Sequence, residues 1–168
     1  MLKKSGVAGA LTHAVDLSDS RGVRSAADVI VEEFGEVDVL VNSAGGAGSL
    51  EPPSTSEDQL DRVVRDWTVN FRTNLLTAAL LTEALKERLT APGGRVLFVG
   101  SIVAYRGAGG GAYAAAKAGL HPYAHSLARE LGPRGVTVNV VAPGYVEDTG
   151  FSATPSAKQG GRGSSATR

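Results

Sequence analysis

Short apolar runs alternate along this chain with longer stretches of helical periodicity, and this alternation limits the fold more than any other feature. The candidate strands lie at 11–15 and 37–41 and in "RVLFVGS" and "GVTVNVVAPG". They are near-continuous apolar runs, as the buried strands of parallel sheets are. Strands that alternate with helices predict a parallel sheet with helices on both faces. We therefore expect an α/β fold with a doubly wound parallel sheet.

The predicted helices have recognisable ends and apolar stripes. The first covers 18–34, is stopped by Gly35, and has a stripe of Val23, Ala27, Ile30 and Phe34. The second opens at a Ser56–Gln59 capping box, and its stripe comprises Phe71, Leu75, Ala78, Leu85 and Leu89. The third covers about 112–131. These helices connect the candidate strands in chain order.

Composition excludes several classes of function. The 17 basic residues balance the 17 acidic ones, so nothing points to nucleic acid or to a membrane surface. The absence of cysteine excludes a disulfide framework and a thiolate nucleophile. It fits a reducing compartment, and we expect a cytoplasmic protein. We expect one domain over 1–151 and a disordered polar tail over 152–168.

One pair of titratable residues stands out at the expected ligand-binding edge of the sheet. Open α/β sheets bind ligands outside the carboxyl ends of their strands. Tyr113 and Lys117 are four residues apart and share a helix face, and an ammonium near a phenol lowers the phenol pKa. Ser101 ends the preceding strand and could hydrogen-bond a carbonyl oxygen. The alternative is that Tyr113 is an ordinary core tyrosine, on a stripe with Leu120, and that Lys117 is solvated.

Two weaker signals predict no site. "GAGGGA" at 107–112 matches a dinucleotide fingerprint in form, but it does not directly follow a strand and has no acidic partner at the required distance. We interpret it as a flexible glycine loop. His13, His121 and His125 have no acidic partners at metal-ligand spacing, so we expect no metal site. We expect His121 and His125 to be surface or interface residues.

Six motifs occur in an order that resembles the short-chain dehydrogenase/reductase family over about 11–151. They are "HAVDLSD", "VDVLVNSAGG", "FRTNLLTAAL", "GGRVLFVGSIVAYRG", "YAAAKAG" and "TVNVVAPGYVEDTG". Within the family, the chain is most similar to ketoreductases of the 3-oxoacyl-carrier-protein reductase type. The resemblance implies a Rossmann-like fold and NAD(P)-dependent reduction of a ketone, with a 3-oxoacyl thioester as one candidate, or oxidation of a secondary alcohol.

The resemblance also implies partners. It implies a small-molecule carbonyl or alcohol substrate, and NADP or NAD as cofactor, with NADPH slightly favoured. It implies a homo-oligomer that associates through the helices at 70–90 and 112–131.

The resemblance implies a catalytic role for four residues. Tyr113 would be the acid/base, and Lys117 would bind the nicotinamide ribose and lower the pKa of the tyrosine. Ser101 would orient the substrate carbonyl. Asn74 would hold a water molecule in a proton relay, whereas Asn70, four residues earlier, does not match the motif.

The remaining implied roles concern the cofactor. Asp16 would contact the adenine ring. Asn42, Ala44 and Gly45 would form the turn beside the adenosine, in which Ser43 replaces the usual second asparagine. The nicotinamide would be contacted by Pro143, Gly144 and Thr149.

One family motif is absent from the sequence. Family members begin with a strand, a T-G-x-x-x-G-x-G turn and a helix, and that turn binds the cofactor pyrophosphate through its backbone N–H groups. Nothing of this kind precedes Asp16. We therefore expect an incomplete Rossmann-like sheet that lacks the first two strands and the last strand of the family, with an unpaired apolar edge at 37–41. We also expect weak cofactor binding by this chain alone. The alternative function is a truncated, inactive remnant with at most a binding role.

Overall fold

Three parallel strands form the sheet of this protein. The computed structural model describes residues 9–46, 58–107 and 110–146. The strands are β1 (Val39–Asn42), β2 (Arg95–Val99) and β3 (Thr137–Val141), in the order β1-β2-β3. Val39 lies opposite Arg95, which lies opposite Thr137, so the three carboxyl ends meet at one edge. The predicted parallel α/β sheet is confirmed in an incomplete form.

Helical segments connect these strands. They are α1 (Ser20–Phe34), α2 (Gln59–Phe71), a π-helical turn (Arg72–Leu76), α3 (Thr77–Leu85), a 3₁₀ turn (Lys86–Arg88), α4 (Val103–Arg106), α5 (Gly111–Leu131) and a second 3₁₀ turn (Gly132–Arg134). None of the helices in the described ranges is long and apolar enough to cross a bilayer.

The helix ends agree with the sequence at one place and differ at another. Gly35 ends α1 with a φ of 74°, as the stop signal predicts. The predicted capping box at Ser56 is wrong, because α2 begins only at Gln59 and its N-cap is Asp58. The Asp58 carboxylate accepts a hydrogen bond from the Leu60 N–H at 2.8 Å. Ser56 itself lies outside the described residues.

One face of the sheet carries the hydrophobic core. Leu40, Val96 and Phe98 are buried and belong to a single cluster with apolar residues of α1, α3 and α5. Val39 and Val41 alternate with the buried residues of β1, point to the other face and are half exposed. Right-handed crossovers that advance in one direction across a sheet place their helices on the same side. The described helices therefore flank one face only, and the predicted helices on the second face are not found in the described ranges.

The predicted strand at 11–15 is wrong. These residues are described but form no strand, and the Leu11 side chain is exposed. A strand needs a neighbour that accepts and donates its ladder hydrogen bonds, and β1 pairs only with β2 among the described strands. The predicted unpaired apolar edge is present at β1, which has no strand neighbour on its outer side among the described residues.

The apolar stripe of the second helix is interrupted by the π-helical turn. Ala78, Leu85 and Leu89 are buried as predicted, but the Phe71 side chain is 40% exposed. A π-helical turn adds one residue to the helix, which rotates the preceding stripe by about 100°. Phe71 therefore lies out of phase with the core. Phe34, at the last position of α1, is also exposed against expectation.

Candidate active site

Tyr113 and Lys117 lie near the start of α5, at the carboxyl edge of the sheet. Both side chains are buried, and the Lys117 Nζ lies 5.9 Å from the centroid of the Tyr113 ring. Ser101 follows β2 by two residues, and its hydroxyl is hydrogen-bonded to the Tyr113 side chain. The Ser101 Oγ also accepts a hydrogen bond from the Val103 N–H at 3.3 Å. The fold thus brings these three predicted catalytic side chains together, and the fourth, Asn74, lies beside Lys117 across Gly45.

The pKa values of this pair move in the directions that burial dictates. Burial raises the pKa of Tyr113 above its usual 10.0, and the hydrogen bond from Ser101 opposes this rise only partly. Burial also lowers the pKa of Lys117. The expected lowering of the tyrosine pKa is therefore wrong, because desolvation of the phenolate dominates and raises this pKa. The phenol of Tyr113 is protonated at neutral pH.

The ammonium of Lys117 is held between β2 and the loop after β1. Its Nζ donates a hydrogen bond to the Val99 carbonyl oxygen at 2.8 Å. A Cβ placed on Gly45 would lie 3.2 Å from this Nζ and 2.5 Å from the Asn74 Oδ1. Gly45 is therefore required for the loop to approach these two side chains so closely.

Asn74 ties the π-helical turn to the same loop. Its Oδ1 accepts a hydrogen bond from the Gly46 N–H at 3.0 Å, and its Nδ2 donates to the Gly46 carbonyl oxygen at 3.0 Å. The Nδ2 also donates to the Asn70 carbonyl oxygen at 3.2 Å. Both N–H donors of the amide are thus used inside the protein. Sequence reasoning missed Gly46 and the Asn70 carbonyl because backbone groups leave no signal in residue identity.

The predicted adenosine turn begins at the end of β1. Asn42 is buried, and its Nδ2 donates a hydrogen bond to the Thr82 Oγ1 of α3 at 3.0 Å. This side chain therefore fastens the strand end to a helix rather than facing the edge of the sheet. Ala44 and Gly45, which follow it, are exposed at that edge.

The predicted nicotinamide residues follow β3. The Pro143 carbonyl oxygen accepts a hydrogen bond from the Ile102 N–H at 3.0 Å, which joins this loop to the one that carries Ser101. Gly144 is exposed beside it. Thr149 and the predicted tail at 152–168 lie outside the described residues.

Asp16 lies at the start of the turn that leads into α1, and it is exposed. Its Oδ1 accepts hydrogen bonds from the Ser18 N–H at 2.8 Å and from the Ser18 hydroxyl at 2.7 Å. These bonds, with a smaller contribution from Arg72, lower the pKa of Asp16 below its usual 3.8. The Arg72 guanidinium donates in turn to the Ser18 Oγ at 3.2 Å. These contacts, which the sequence did not indicate, hold the Asp16 carboxylate in one position.

The histidines form no metal site within the described ranges, where no group of three potential ligands is found. His125 is exposed, as expected. His121 is half buried and contacts Tyr105, so its prediction as a surface or interface residue stays a prediction. Packing of α4 against α5 covers this ring.

This combination of a parallel α/β sheet and a serine–tyrosine–lysine cluster at its carboxyl edge is typical of one class of oxidoreductase folds. The short chain dehydrogenase family model matches residues 2–160. The chain therefore belongs to the short-chain dehydrogenase family.

Three known proteins illustrate the similarity. The 3-oxoacyl-(acyl-carrier-protein) reductase FabG of Escherichia coli (strain K12) is 41% identical over 136 residues, which cover 79% of this chain and 52% of FabG. A dehydrogenase/reductase structure from Sinorhizobium meliloti 1021 superposes with a TM-score of 0.72 at 31% identity, covering 86% of this chain and 55% of that one.

A short chain dehydrogenase from Burkholderia cenocepacia J2315, solved in complex with NADP, superposes with a TM-score of 0.61 at 39% identity. The superposition covers 77% of this chain and 51% of that one. The chain spans about half the length of the E. coli relative and of each of these two structures.

Proposed function

We propose that this chain carries the reaction centre of an NAD(P)-dependent oxidoreductase that reduces a ketone or oxidises a secondary alcohol. The observation that carries the proposal is the buried Tyr113, which is hydrogen-bonded to Ser101 and has the Lys117 ammonium near its ring. A buried phenol, a hydroxyl beside it and a nearby cation are the groups that proton transfer to a carbonyl oxygen requires.

Each of the three side chains has a distinct task in this chemistry. A nicotinamide cofactor, when bound, would be the source of the hydride. Tyr113 donates its phenolic proton to the carbonyl oxygen, and Ser101 donates a hydrogen bond to the same oxygen. Lys117 stabilises the phenolate that remains on Tyr113. The raised pKa of Tyr113 keeps the phenol protonated at neutral pH, which supports the direction of reduction.

The residues around Lys117 fit a nicotinamide cofactor. An ammonium has three N–H donors, and within the described ranges the Lys117 Nζ makes one hydrogen bond, to Val99, and no ion pair. The other donors suit the hydroxyls of the nicotinamide ribose. Asp16 would contact the adenine, Ala44 and Gly45 the adenosine, and Pro143, Gly144 and Thr149 the nicotinamide.

Asn74 would contribute by holding the Gly45–Gly46 loop beside Lys117, since its amide is hydrogen-bonded to both the N–H and the carbonyl oxygen of Gly46. Its Oδ1 keeps acceptor capacity for the water molecule that the family resemblance implies.

The similar proteins narrow the choice of substrate and of cofactor. The similarity to the E. coli 3-oxoacyl-(acyl-carrier-protein) reductase supports a 3-oxoacyl thioester as substrate. The Burkholderia structure, solved with NADP, supports NADPH over NADH. A panel of 3-oxoacyl thioesters and simple ketones, each assayed with NADPH and with NADH, tests both choices.

The decisive experiment measures carbonyl-dependent loss of NADPH absorbance by the purified full chain. The cofactor is supplied in large excess, so that its affinity does not limit the measured rate. Tyr113→Phe should lower the rate by about 10²- to 10⁴-fold, the usual contribution of general acid catalysis. Tyr145→Phe is the matched control, because Tyr145 is an exposed tyrosine on the loop after β3. NADPH oxidation that is absent, or unchanged in Tyr113→Phe, would reject the proposal in favour of an inactive remnant.

We also propose that the chain associates with a second copy through the helices at 70–90 and 112–131. An open apolar groove runs along the first of these helical segments, where it is lined by Phe71, Leu75 and Leu76 and, just before the segment, by Trp67. Phe71 and Leu76 are exposed large apolar residues, as at many association surfaces. Light scattering at micromolar concentration should give a dimer or larger species, and Phe71→Glu should give a monomer. A monomeric wild-type chain would contradict this association.

A further inference from the structure

A second polar pair lies one helical turn beyond the Tyr113–Lys117 pair. The Tyr105 hydroxyl and the His121 Nδ1 are 3.2 Å apart. The two rings also pack edge to face, with centroids 4.9 Å apart. Tyr105 lies on α4, the single helical turn that follows Ser101, and His121 lies on α5. The pair therefore joins the segment of the serine to the helix of the tyrosine and lysine.

The position of His121 on α5 connects it to the site. Tyr113, Lys117 and His121 follow one another at intervals of four residues, so they lie along one side of the helix. The imidazole lies against the end of β2, since a Cβ placed on Gly100 would be 3.9 Å from the His121 Nε2. This Nε2 is buried and has no hydrogen-bond partner among the described residues. Within that part of the chain, the Tyr105 hydroxyl is the hydrogen-bonding partner of the ring.

The segment that carries Ser101, residues 100–106, is anchored at both of its ends. The Gly100 N–H donates to the Val141 carbonyl oxygen at 2.8 Å, and the Ile102 N–H donates to the Pro143 carbonyl oxygen at 3.0 Å, so β3 and its loop fix the start of the segment. The far end is α4, and a helix of one turn is too short to be stable by itself. The contact with His121 supplies a tertiary anchor at that end.

We propose that Tyr105 and His121 are positioning residues that hold α4 against α5 and thereby keep the Ser101 hydroxyl on the Tyr113 side chain. The inference rests on the proposed function, because it assigns the pair to the geometry of the same site. Removal of the Tyr105 hydroxyl leaves the half-buried imidazole without that partner, and loss of a hydrogen bond of this kind shifts a local equilibrium by about 2- to 10-fold. The Ser101 hydroxyl is then hydrogen-bonded to the Tyr113 phenol for a smaller fraction of the time.

Four variants of the full chain test this role. Tyr105→Phe removes the hydroxyl and keeps the ring packing, and His121→Leu removes both ring nitrogens. His121→Asn keeps a polar group near the position of Nδ1 and is the conservative rescue variant. His125→Leu is the matched control, because His125 is exposed on the same helix one turn further on.

Two readouts do not require turnover. Hydrogen exchange measured by mass spectrometry should become about 2- to 10-fold faster over 101–106 in Tyr105→Phe and His121→Leu. The absorbance titration of Tyr113, assigned by difference from Tyr113→Phe, should move to higher pH, because the Ser101 hydrogen bond lowers the pKa of this phenol. His121→Asn should restore most of the wild-type behaviour, and His125→Leu should not differ from wild type.

A third readout uses catalysis. Tyr105→Phe and His121→Leu should each lower kcat for ketone reduction. Each should leave the KM for NADPH unchanged, since the pair contacts the serine segment rather than the proposed cofactor residues. The double variant Tyr105→Phe/His121→Leu should be no worse than either single variant, because both remove the same contact. If the chain proves inactive, the proposed function fails, whereas the exchange and titration readouts still decide the positioning role.

One result would overturn the inference: unchanged exchange at 101–106 together with an unchanged Tyr113 titration in Tyr105→Phe and His121→Leu. If the Tm of His121→Leu is lower in that case, His121 has a packing role alone.

Discussion

Replacement of Gly45 by alanine should destabilise the protein and disturb its candidate active site. The glycine has a φ of 148°, which side chains rarely adopt. An alanine Cβ would lie 2.5 Å from the Asn74 Oδ1, well inside normal contact distance, and 3.2 Å from the Lys117 Nζ. The Asn74 side chain is buried in the π-helical turn, so it cannot move aside without leaving Gly46.

The size of the effect follows from two contributions. A non-glycine residue at a sparsely populated φ costs about 1–3 kcal/mol. Displacement of the Asn74 amide breaks its two hydrogen bonds to Gly46, each of which contributes about 1 kcal/mol. The free energy of unfolding should therefore fall by about 3–5 kcal/mol, which lowers the Tm by roughly 6–20 °C in a domain of this size.

Urea denaturation and thermal melting of the full chain measure this change, with Gly46→Ala as the control. Gly46 is the next residue, and an added Cβ there would meet nothing within 4 Å. The control should therefore change the free energy of unfolding by only about 0.5 kcal/mol. Equal unfolding midpoints for the two variants would refute the assigned contact between Gly45 and Asn74.

Three further predictions use other contacts. Asn42→Ala leaves the buried Thr82 hydroxyl unpaired and should lower the free energy of unfolding by about 1–3 kcal/mol. Urea denaturation should show that adding Thr82→Val to it recovers part of this loss, and a fully additive double variant would contradict the pair. The folded pKa of Asp16 lies below 3.8, so its contribution to stability is present above about pH 3.8 and is lost as the pH falls through the folded pKa. Asp16→Asn should therefore show a smaller acid-induced loss of stability than wild type, and parallel pH profiles would refute this. The folded pKa of Tyr113 lies above 10.0, so stability should fall as the pH rises from about 10 through the folded pKa. Tyr113→Phe should reduce this alkaline loss, part of which also comes from Tyr123, whose pKa is raised by burial, and an unchanged alkaline profile would refute this; an absorbance titration should place Tyr113 at higher pH in Ser101→Ala than in wild type.

Local sequence signals predicted the order of the elements well. The runs that became β1, β2 and β3 are recognisable as apolar stretches, and Gly35 marks the end of α1. The spacing of Tyr113 and Lys117 already places them on one face of α5. These features depend on residue type and periodicity alone, so no tertiary information is needed to see them.

The strand expected at 11–15 shows where local signals are insufficient. An apolar run becomes a strand only when a neighbouring strand completes its hydrogen bonds, and the sheet order is a property of the whole fold. The exposure of Phe71 has a related origin, because the π-helical turn at Arg72–Leu76 changes the phase of a stripe that looks continuous in the sequence. Neither the pairing of a strand nor the phase of a helical stripe can be read from the apolar residues alone.

For the candidate site, too, some features follow from the sequence and others only from the tertiary structure. The sequence by itself determined which groups meet at the carboxyl edge of the sheet: a serine after β2, and a tyrosine and a lysine on the next long helix. Only the tertiary structure decided that burial raises the pKa of Tyr113, that Asn42 turns inward to Thr82, and that His121 reaches Tyr105. Desolvation and long-range hydrogen bonds arise from residues far apart in the chain, and the packed fold alone brings those residues together.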